Sequence, residues 1–497
     1  MTSDDGASAP LLDQAAHGYR ATLISQGIRL SCKAASVVVL ARLVSPSEHG
    51  VFAMAASLFM LLVLFRDLGL GAAAVQAPTL SEEQCSTLWR VHAVVGVALA
   101  ALAVALAPVL AAFYHEPRVA GLITTMSAGL LIIGGNAWPR VLLTRQLRFA
   151  ELNRVETIAA VVGTVAAIVA GGLGAGAYAF VAFLLVSEVI SLVEAWRLCG
   201  WRPTAPVRWA SLREIWRTGV NLTGYNVVQY FQQQLDTLLM GRWFGAGALG
   251  LYNRPAQLLA LPVQHGTAPL TQVLLATLSR LGPDSPEFAR HVRSTANLIA
   301  HLTLPLAVVC ISLPHETVQL ILGAAWPEAA PLLRWLAVNA AISYLSATIY
   351  GVSVAAGQTR RLALLSLVVL AATGLGLWAG KTSGPAGLAA GLAVTNFALL
   401  GPRLWWATRG TPVRLGDFLG SFAGPLGLAA ALAAGMLTGH ALTTGCQWFV
   451  RFGASVLSGG LTGFALVAAW PRLRAEWRLV AQLLPWWPRG RPGNSRP

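Results

Sequence analysis

The sequence predicts an all-α polytopic membrane protein of about fourteen transmembrane helices, N-in and C-in, built from two similar halves. Composition is the first ground. Over 497 positions, 56% of residues are hydrophobic and 11% charged, with mean hydropathy +0.62. A soluble domain carries roughly 25% charged residues. The second ground is where the cations fall. With the N-terminus inside, about 24 of the 35 Lys and Arg residues lie on cytoplasmic loops and tails, about five lie outside, and about six fall within spans. The third ground is a repeat. Arg42 is followed after seven residues by Gly50-Val51-Phe52, and Arg242 after seven by Gly250-Leu251-Tyr252, an offset of 200. Upstream, Gln26, Arg29, Lys33 and Ser36 align with Asn226, Gln229, Gln233 and Asp236.

The elements follow in order. Residues 1–17 are a polar cytoplasmic tail with Asp4, Asp5 and Asp13; it has no apolar core or cleavage site, so the first span is its own insertion signal. That span, 20–42, carries Thr22, Gln26, Arg29, Lys33 and Ser36 at spacings of 4, 3, 4 and 3, hence on one helical face. The second, 50–73, contains Arg66 and Asp67. Apolar runs at 89–113, 119–142, 155–173 and 176–196 give spans three to six, with Arg140 inside the fourth. A basic linker at 201–216 separates the halves. The seventh span, 217–241, carries a second stripe of Asn221, Tyr225, Gln229, Gln233 and Asp236, and the eighth, 247–276, has Arg254 near its start. Runs at 295–322, 330–357, 361–380 and 385–408 complete the second half. Two more, 418–440 and 447–470, precede a basic tail at 471–497. Gly171-Gly172, Pro262, Pro305 and Pro425 inside spans read equally as packing sites, kinks or bending points.

A charge at the bilayer centre costs at least about 2.5–3.5 kcal/mol. Two aligned polar stripes must therefore face protein or water, and they are expected to line a central hydrated cavity. Arg66 with Asp67, and Asp236 with Arg254, also read as structural ion pairs, and Tyr225 as a packing residue. In the cavity reading, Arg29, Lys33, Arg66 and Arg254 outnumber Asp67 and Asp236. That balance suits an anionic substrate, because guanidinium forks and ammonium groups both bind phosphate oxygens. Gln26, Gln229, Gln233 and Tyr225 would share the lining. Asp67 and Asp236 are the candidates for ion coupling.

The net charge of +15 is mainly a topology device beside an anionic leaflet, and no nucleic-acid partner is expected. Gly380-Lys381-Thr382 lacks the first glycine of a phosphate-binding loop, since residue 375 is leucine. The nine histidines and five cysteines lack metal-ligand spacing, and neither an Asp-x-Asp pair nor a Gly-x-Ser-x-Gly elbow occurs. No loop exceeds about 20 residues, so no soluble catalytic domain fits between spans. A non-enzymatic protein without cofactor is expected, driven by an ion gradient (H⁺ or Na⁺) or the membrane potential.

Ala41-Arg42-Leu43-Val44-Ser45-Pro46, Glu48-His49-Gly50, Asp67-Leu68-Gly69-Leu70-Gly71, Phe113-Tyr114 and Arg145 to Phe149 resemble the oligosaccharide flippase family. This is the Wzx-like branch of the multidrug/oligosaccharidyl-lipid/polysaccharide superfamily. Leu235-Asp236, Gly241-Arg242, Gly250 to Arg254, Leu259 to Pro262 and Gln358-Thr359-Arg360 extend the resemblance over residues 18–410. It implies a six-helix N-lobe (18–200), a six-helix C-lobe (217–410) and two further spans within 411–470. It also implies an inner-membrane protein that moves undecaprenyl-diphosphate-linked oligosaccharide outward for O-antigen, capsule or exopolysaccharide production. Membrane lipids and a polysaccharide polymerase or export complex would be its partners. A peptidoglycan-precursor lipid flippase or a multidrug exporter shares this architecture; a membrane glycan polymerase or ligase would need a large periplasmic loop.

Overall fold

The computed structural model describes residues 8–67, 70–77, 79–206, 213–281, 285–355, 357–409, 411 and 413–482. Among these residues the regular elements are helices. In chain order they are α1 (Ser8–Leu43), α2 (Pro46–Asp67), α3 (Leu70–Gln76), α4 (Glu82–Tyr114), α5 (Arg118–Arg145), α6 (Phe149–Gly172), α7 (Tyr178–Cys199) and α8 (Arg213–Leu281). They continue as α9 (Pro286–Ser312), α10 (Pro314–Ile321), α11 (Ala329–Ala355), α12 (Thr359–Gly380), α13 (Gly384–Thr408), α14 (Leu415–Gly420), α15 (Ala423–Leu442), α16 (Trp448–Ala469) and α17 (Pro471–Gln482).

Ten stretches of the described residues are long and apolar enough to cross a membrane, one of which, Leu364–Thr408, covers most of α12 and all of α13. The protein is thus an all-helical, polytopic membrane protein. The apolar runs expected at 217–241, 247–276 and 330–357 lie in α8 and α11, part of whose side chains fall outside the described residues. One expected run is subdivided. The run at 295–322 breaks because Leu313 leaves helical geometry (φ −126°, ψ 52°) and Pro314 starts a new helix. Proline has no N–H to give the preceding turn but fits a first helical position. The run at 50–73 is described as α2 up to Asp67 and α3 from Leu70, with residues 68 and 69 outside the described residues.

The chain divides into two compact units, Met1–Arg254 and Pro255–Pro497. In the first, α5 is the central helix, packed on α4, α7, α2 and α3, while α1 packs on α6 and α6 on α7. Glycine lets α4 and α5 approach closely. A Cβ on Gly96 would lie 2.9 Å from the Leu130 carbonyl oxygen and 3.0 Å from Gly134 Cα. Such small-residue seams replace a water-driven core in lipid. The outer side of α4 leaves Val94, Val97, Leu102, Val104 and Val109 exposed, as a lipid-facing surface requires.

Helix α8 is two limbs joined at Gly245 (φ 78°, ψ −176°), a conformation open to glycine because it lacks Cβ. The second limb starts against the start of α2. A Cβ on Gly50 would strike the Ala246 carbonyl, and a Cβ on Gly250 would strike the Pro46 carbonyl. These are the glycines of the repeated phrase. The contact is reciprocal at the same 200-residue offset: 46 meets 250, and 50 meets 246.

In the second unit α11 packs on α9 and α13, α12 on α13, and α15 on α9 and α16. Its core joins Leu274, Phe288, Val292, Leu404, Phe418 and Phe422. Gly380 and Gly387 set a close α12–α13 crossing, and Gly435 and Gly459 a close α15–α16 crossing. The segment 471–482 of the basic tail forms α17. Its Leu473 is fully buried, and Trp477 meets the His301 ring edge-on at 6.1 Å. Those two residues are one turn apart, so one face of the helix docks.

Candidate functional site

Charged side chains from five helices of the first unit converge near the end opposite the Gly50 crossing. Arg29 of α1 pairs with Glu156 Oε2 of α6, and Arg140 Nη2 of α5 donates to Glu156 Oε1 at 2.5 Å. One carboxylate therefore holds guanidinium groups from two other helices. All three side chains are partly exposed, at 28%, 27% and 35% for Arg29, Glu156 and Arg140. Arg140 Nη1 also donates to Ser191 Oγ of α7 at 3.4 Å, and Asn136 Nδ2 donates to the same oxygen at 2.8 Å. Glu188 of α7 lies within electrostatic reach of both Arg140 and Arg66.

Four of these residues, Arg66, Asn136, Arg140 and Glu188, line a cavity of about 200 Å³. Arg66, Arg140 and Glu188 supply its charge, Asn136 and Thr144 its neutral polar groups. Arg66 Nε is buried and donates no hydrogen bond among the described residues. Glu188 stands near the middle of α7 (Tyr178–Cys199), hence near mid-membrane by helix rise of about 1.5 Å per residue. The scaffold holds the cavity rim in place. Arg145 Nη1 caps the end of α3 through the Ala74 and Ala77 carbonyls at 2.7 and 2.6 Å. Asn153 of α6 donates to Thr22 of α1 at 3.0 Å. Among the described residues the cluster holds three arginines and two glutamates beside open volume, a balance that can accept an anion.

A second polar assembly lies on the other side of the unit, near the Gly50 crossing. Tyr230 Oη donates to the Ser57 carbonyl at 2.5 Å, and Ser57 Oγ lies 3.1 Å from Tyr114 Oη. Tyr114 also covers Gly241, and Arg242 stands over the Phe113 ring at 5.7 Å. Glu48 binds Arg118 at 2.5 Å and accepts the Ala177 N–H at 2.9 Å, tying three turns together. α2, α4 and the first limb of α8 are thus latched at this end.

The expected site residues divide between these places. Arg29 and Arg66 belong to the charged cluster. Lys33, Gln26 and Gln233 are exposed, while Gln229 is half-buried with its Oε1 accepting nothing among the described residues. Asp236 accepts Tyr252 Oη at 2.5 Å and the Thr237 N–H at 2.8 Å. Arg254 is buried, 5% exposed, with its guanidinium 5.0 Å above the Phe180 ring, which His49 meets edge-on at 4.8 Å. The side chains of Tyr225 and Asp67 lie outside the described residues. Sequence reasoning passed over Glu156 and Glu188 and left Arg140 unassigned. The signal was available, since Glu188 stands in the middle of the apolar run 176–196 and Glu156 is the one acid of the run 155–173.

Comparison with known proteins places this arrangement. Residues 39–331 match the family model described as polysaccharide biosynthesis protein. The teichuronic acid biosynthesis protein TuaB of Bacillus subtilis (strain 168) is 26% identical over 339 residues, 67% of this chain and 70% of its own. The lipopolysaccharide biosynthesis protein WzxC of Escherichia coli (strain K12) is 23% identical over 321 residues, 64% of each chain. Among solved structures, the lipid II flippase MurJ in an inward closed conformation has TM-score 0.71 at 14% identity, covering 90% of this chain and 99% of that one. An inward-facing multidrug resistance MATE family transporter has TM-score 0.56 at 18% identity, covering 78% and 93%. At those identities the two structures speak for the fold. The chain belongs to the polysaccharide biosynthesis protein family, whose Wzx-like resemblance the sequence already carried, and is a multi-pass protein of the bacterial inner membrane.

Proposed function

We propose that this protein is a flippase that carries undecaprenyl-diphosphate-linked oligosaccharide from the cytoplasmic to the periplasmic leaflet by alternating access. The observation that carries this reading is the partly exposed cluster of Arg29, Arg66 and Arg140 beside a cavity within a polytopic fold. A diphosphate offers several oxyanions to guanidinium forks, while its lipid tail can stay in the bilayer. Fourteen spans, both termini cytoplasmic, and two six-helix lobes followed by two spans complete the proposed topology. In that topology the Gly50 crossing lies on the periplasmic side, so the latched tyrosines close the outward path and the charged cluster is reached from the cytoplasm.

Lys33, Gln26, Gln229, Gln233, Tyr225 and Arg254 are proposed to serve the passage of the headgroup at later stages. Asp67 or Asp236 would couple transport to an ion gradient. The chain acts as a carrier, not a catalyst, and would deliver its cargo to a polysaccharide polymerase or export complex. A peptidoglycan-precursor lipid shares the diphosphate chemistry and is the second reading, favoured by the fold match to the lipid II flippase. Reconstitution in vesicles tests the proposal. The wild type is expected to move a fluorescent undecaprenyl-diphosphate-linked glycan between leaflets, and Arg29→Ala, Lys33→Ala to stop that movement while inserting normally. Normal movement by the double variant would refute the assignment.

A further inference from the structure

We propose that Glu156 is an internal surrogate for the substrate's anionic group: it holds Arg29 and Arg140 in the empty carrier and is displaced from them by phosphate oxygens on loading. This role rests on the flippase reading above. The geometry is that of a bridging oxyanion. The two oxygens of Glu156 go to two different helices, Oε2 to Arg29 of α1 and Oε1 to Arg140 of α5. A phosphate placed between those guanidinium groups would make the same two contacts.

Access supports exchange. Glu156 is 27% exposed, so the bridge is reachable, unlike the fully desolvated pairs that lock a core. Room exists next to it, since Arg140 also lines the 200 Å³ cavity, where Arg66 Nε has no acceptor among the described residues. The charged groups around the bridge are Arg29 on α1, Arg66 on α2, Arg140 on α5 and Glu188 on α7. Among the described residues three cations face two acids before loading.

Energetics give the device a purpose. An empty carrier must return through the membrane with its binding groups inside. Bare arginines at that depth are heavily penalised, and pairing to a carboxylate offsets part of that cost. Replacing one oxyanion by another on the same forks keeps Arg29 and Arg140 paired throughout the exchange. A diphosphate, with more oxygens and more charge than a carboxylate, wins the exchange on arrival. Glu156 then competes for the same forks when the cargo leaves, so it assists release.

The test uses the full-length protein in lipid nanodiscs with undecaprenyl diphosphate as probe. Glu156→Gln is expected to bind the probe about tenfold more tightly, because the competing charge is gone. The same variant is expected to turn over more slowly in vesicles, because release has lost its competitor. Tighter binding with slower turnover is a split that a purely structural ion pair would not produce. Equal or weaker binding by a folded Glu156→Gln protein would overturn the surrogate role. If that variant does not insert, Glu156→Asp serves: its shorter carboxylate reaches one guanidinium only, and binding must again tighten. A wild type that binds no undecaprenyl diphosphate would instead sink the flippase reading on which the role depends.

Discussion

The two compact units treat charge inside the membrane differently. In Met1–Arg254, Glu156 bridges Arg29 and Arg140 beside a cavity of about 200 Å³ whose wall includes Arg66 and Glu188. In Pro255–Pro497, buried Glu316 at the start of α10 lies 3.6 Å from His440 and 3.7 Å from Arg451. Arg403 donates to Asn396, which in turn donates to Asn339. The cavity described in that unit is about 10 Å³ and is walled by Val292, Val352, Leu404 and Phe418. Among the described residues, the small cavity of the second unit has an apolar wall with Thr408, whereas that of the first is walled by Arg66, Arg140 and Glu188. A charge with adjoining space can exchange partners. Location in hydrocarbon alone does not mark a binding group; the room beside it does.

The largest expected effect breaks or upholds this contrast directly. Arg140→Gln should lower transport by about two orders of magnitude at normal expression, since a charge-assisted contact is worth about 1.5–3 kcal/mol. Arg451→Gln in the second unit should leave transport near wild type and lower only thermal stability in detergent. Equal loss of transport in both would erase the distinction between exchangeable and structural charge.

A middle-sized effect separates packing from charge within the first unit. Gly50→Val places branched carbons against the Ala246 carbonyl. The backbones must part, at about 1–3 kcal/mol for overpacking. Thermal unfolding should shift downward while probe binding to the charged cluster is kept. A Gly50→Val protein as stable as wild type would contradict the close crossing.

The smallest effect concerns a third kind of charge, held in a loop. Arg118 donates to Glu116 through Nε at 2.9 Å, and this hydrogen bond holds the Glu116 carboxyl below the usual carboxylate range. A depressed carboxyl stabilises the fold at pH above its unfolded value, and that contribution is lost as pH falls through the folded value. The wild type should therefore lose a little stability on acidification below about pH 4.5 that Glu116→Gln does not lose. The group is solvent-screened, so the difference should be slight. Unfolding temperature measured against pH for both proteins checks it.

Much of the architecture was legible from residues alone. Runs of apolar length, arginines on alternating loops and the repeated Arg-to-Gly phrase gave the class, and short local motifs gave the family. The break at Leu313 was harder, because an apolar window averages over the one residue that leaves helical geometry. The site was half legible. Arg29 announced itself as a cation on a polar stripe, but its partner is 127 residues away on another helix. Which helices adjoin is not a property of any one segment, so Glu156 could not be paired from sequence. The polar stripe itself proved uneven: Arg29 is engaged while Lys33, one turn on, is exposed.

The crossing at Gly50 and Gly250 has a further meaning. A contact in which residue 46 meets 250 while 50 meets 246 obeys the rule of an isologous interface, where each partner offers the other the same patch. Two identical chains related by a two-fold axis would make this contact. Here one polypeptide makes it with itself, as a covalently fused homodimer would. Fusion frees the two copies to diverge everywhere except where they touch. The glycines stay alike because each is the other's neighbour, while the stripe upstream was free to become cationic in one copy and acidic in the other.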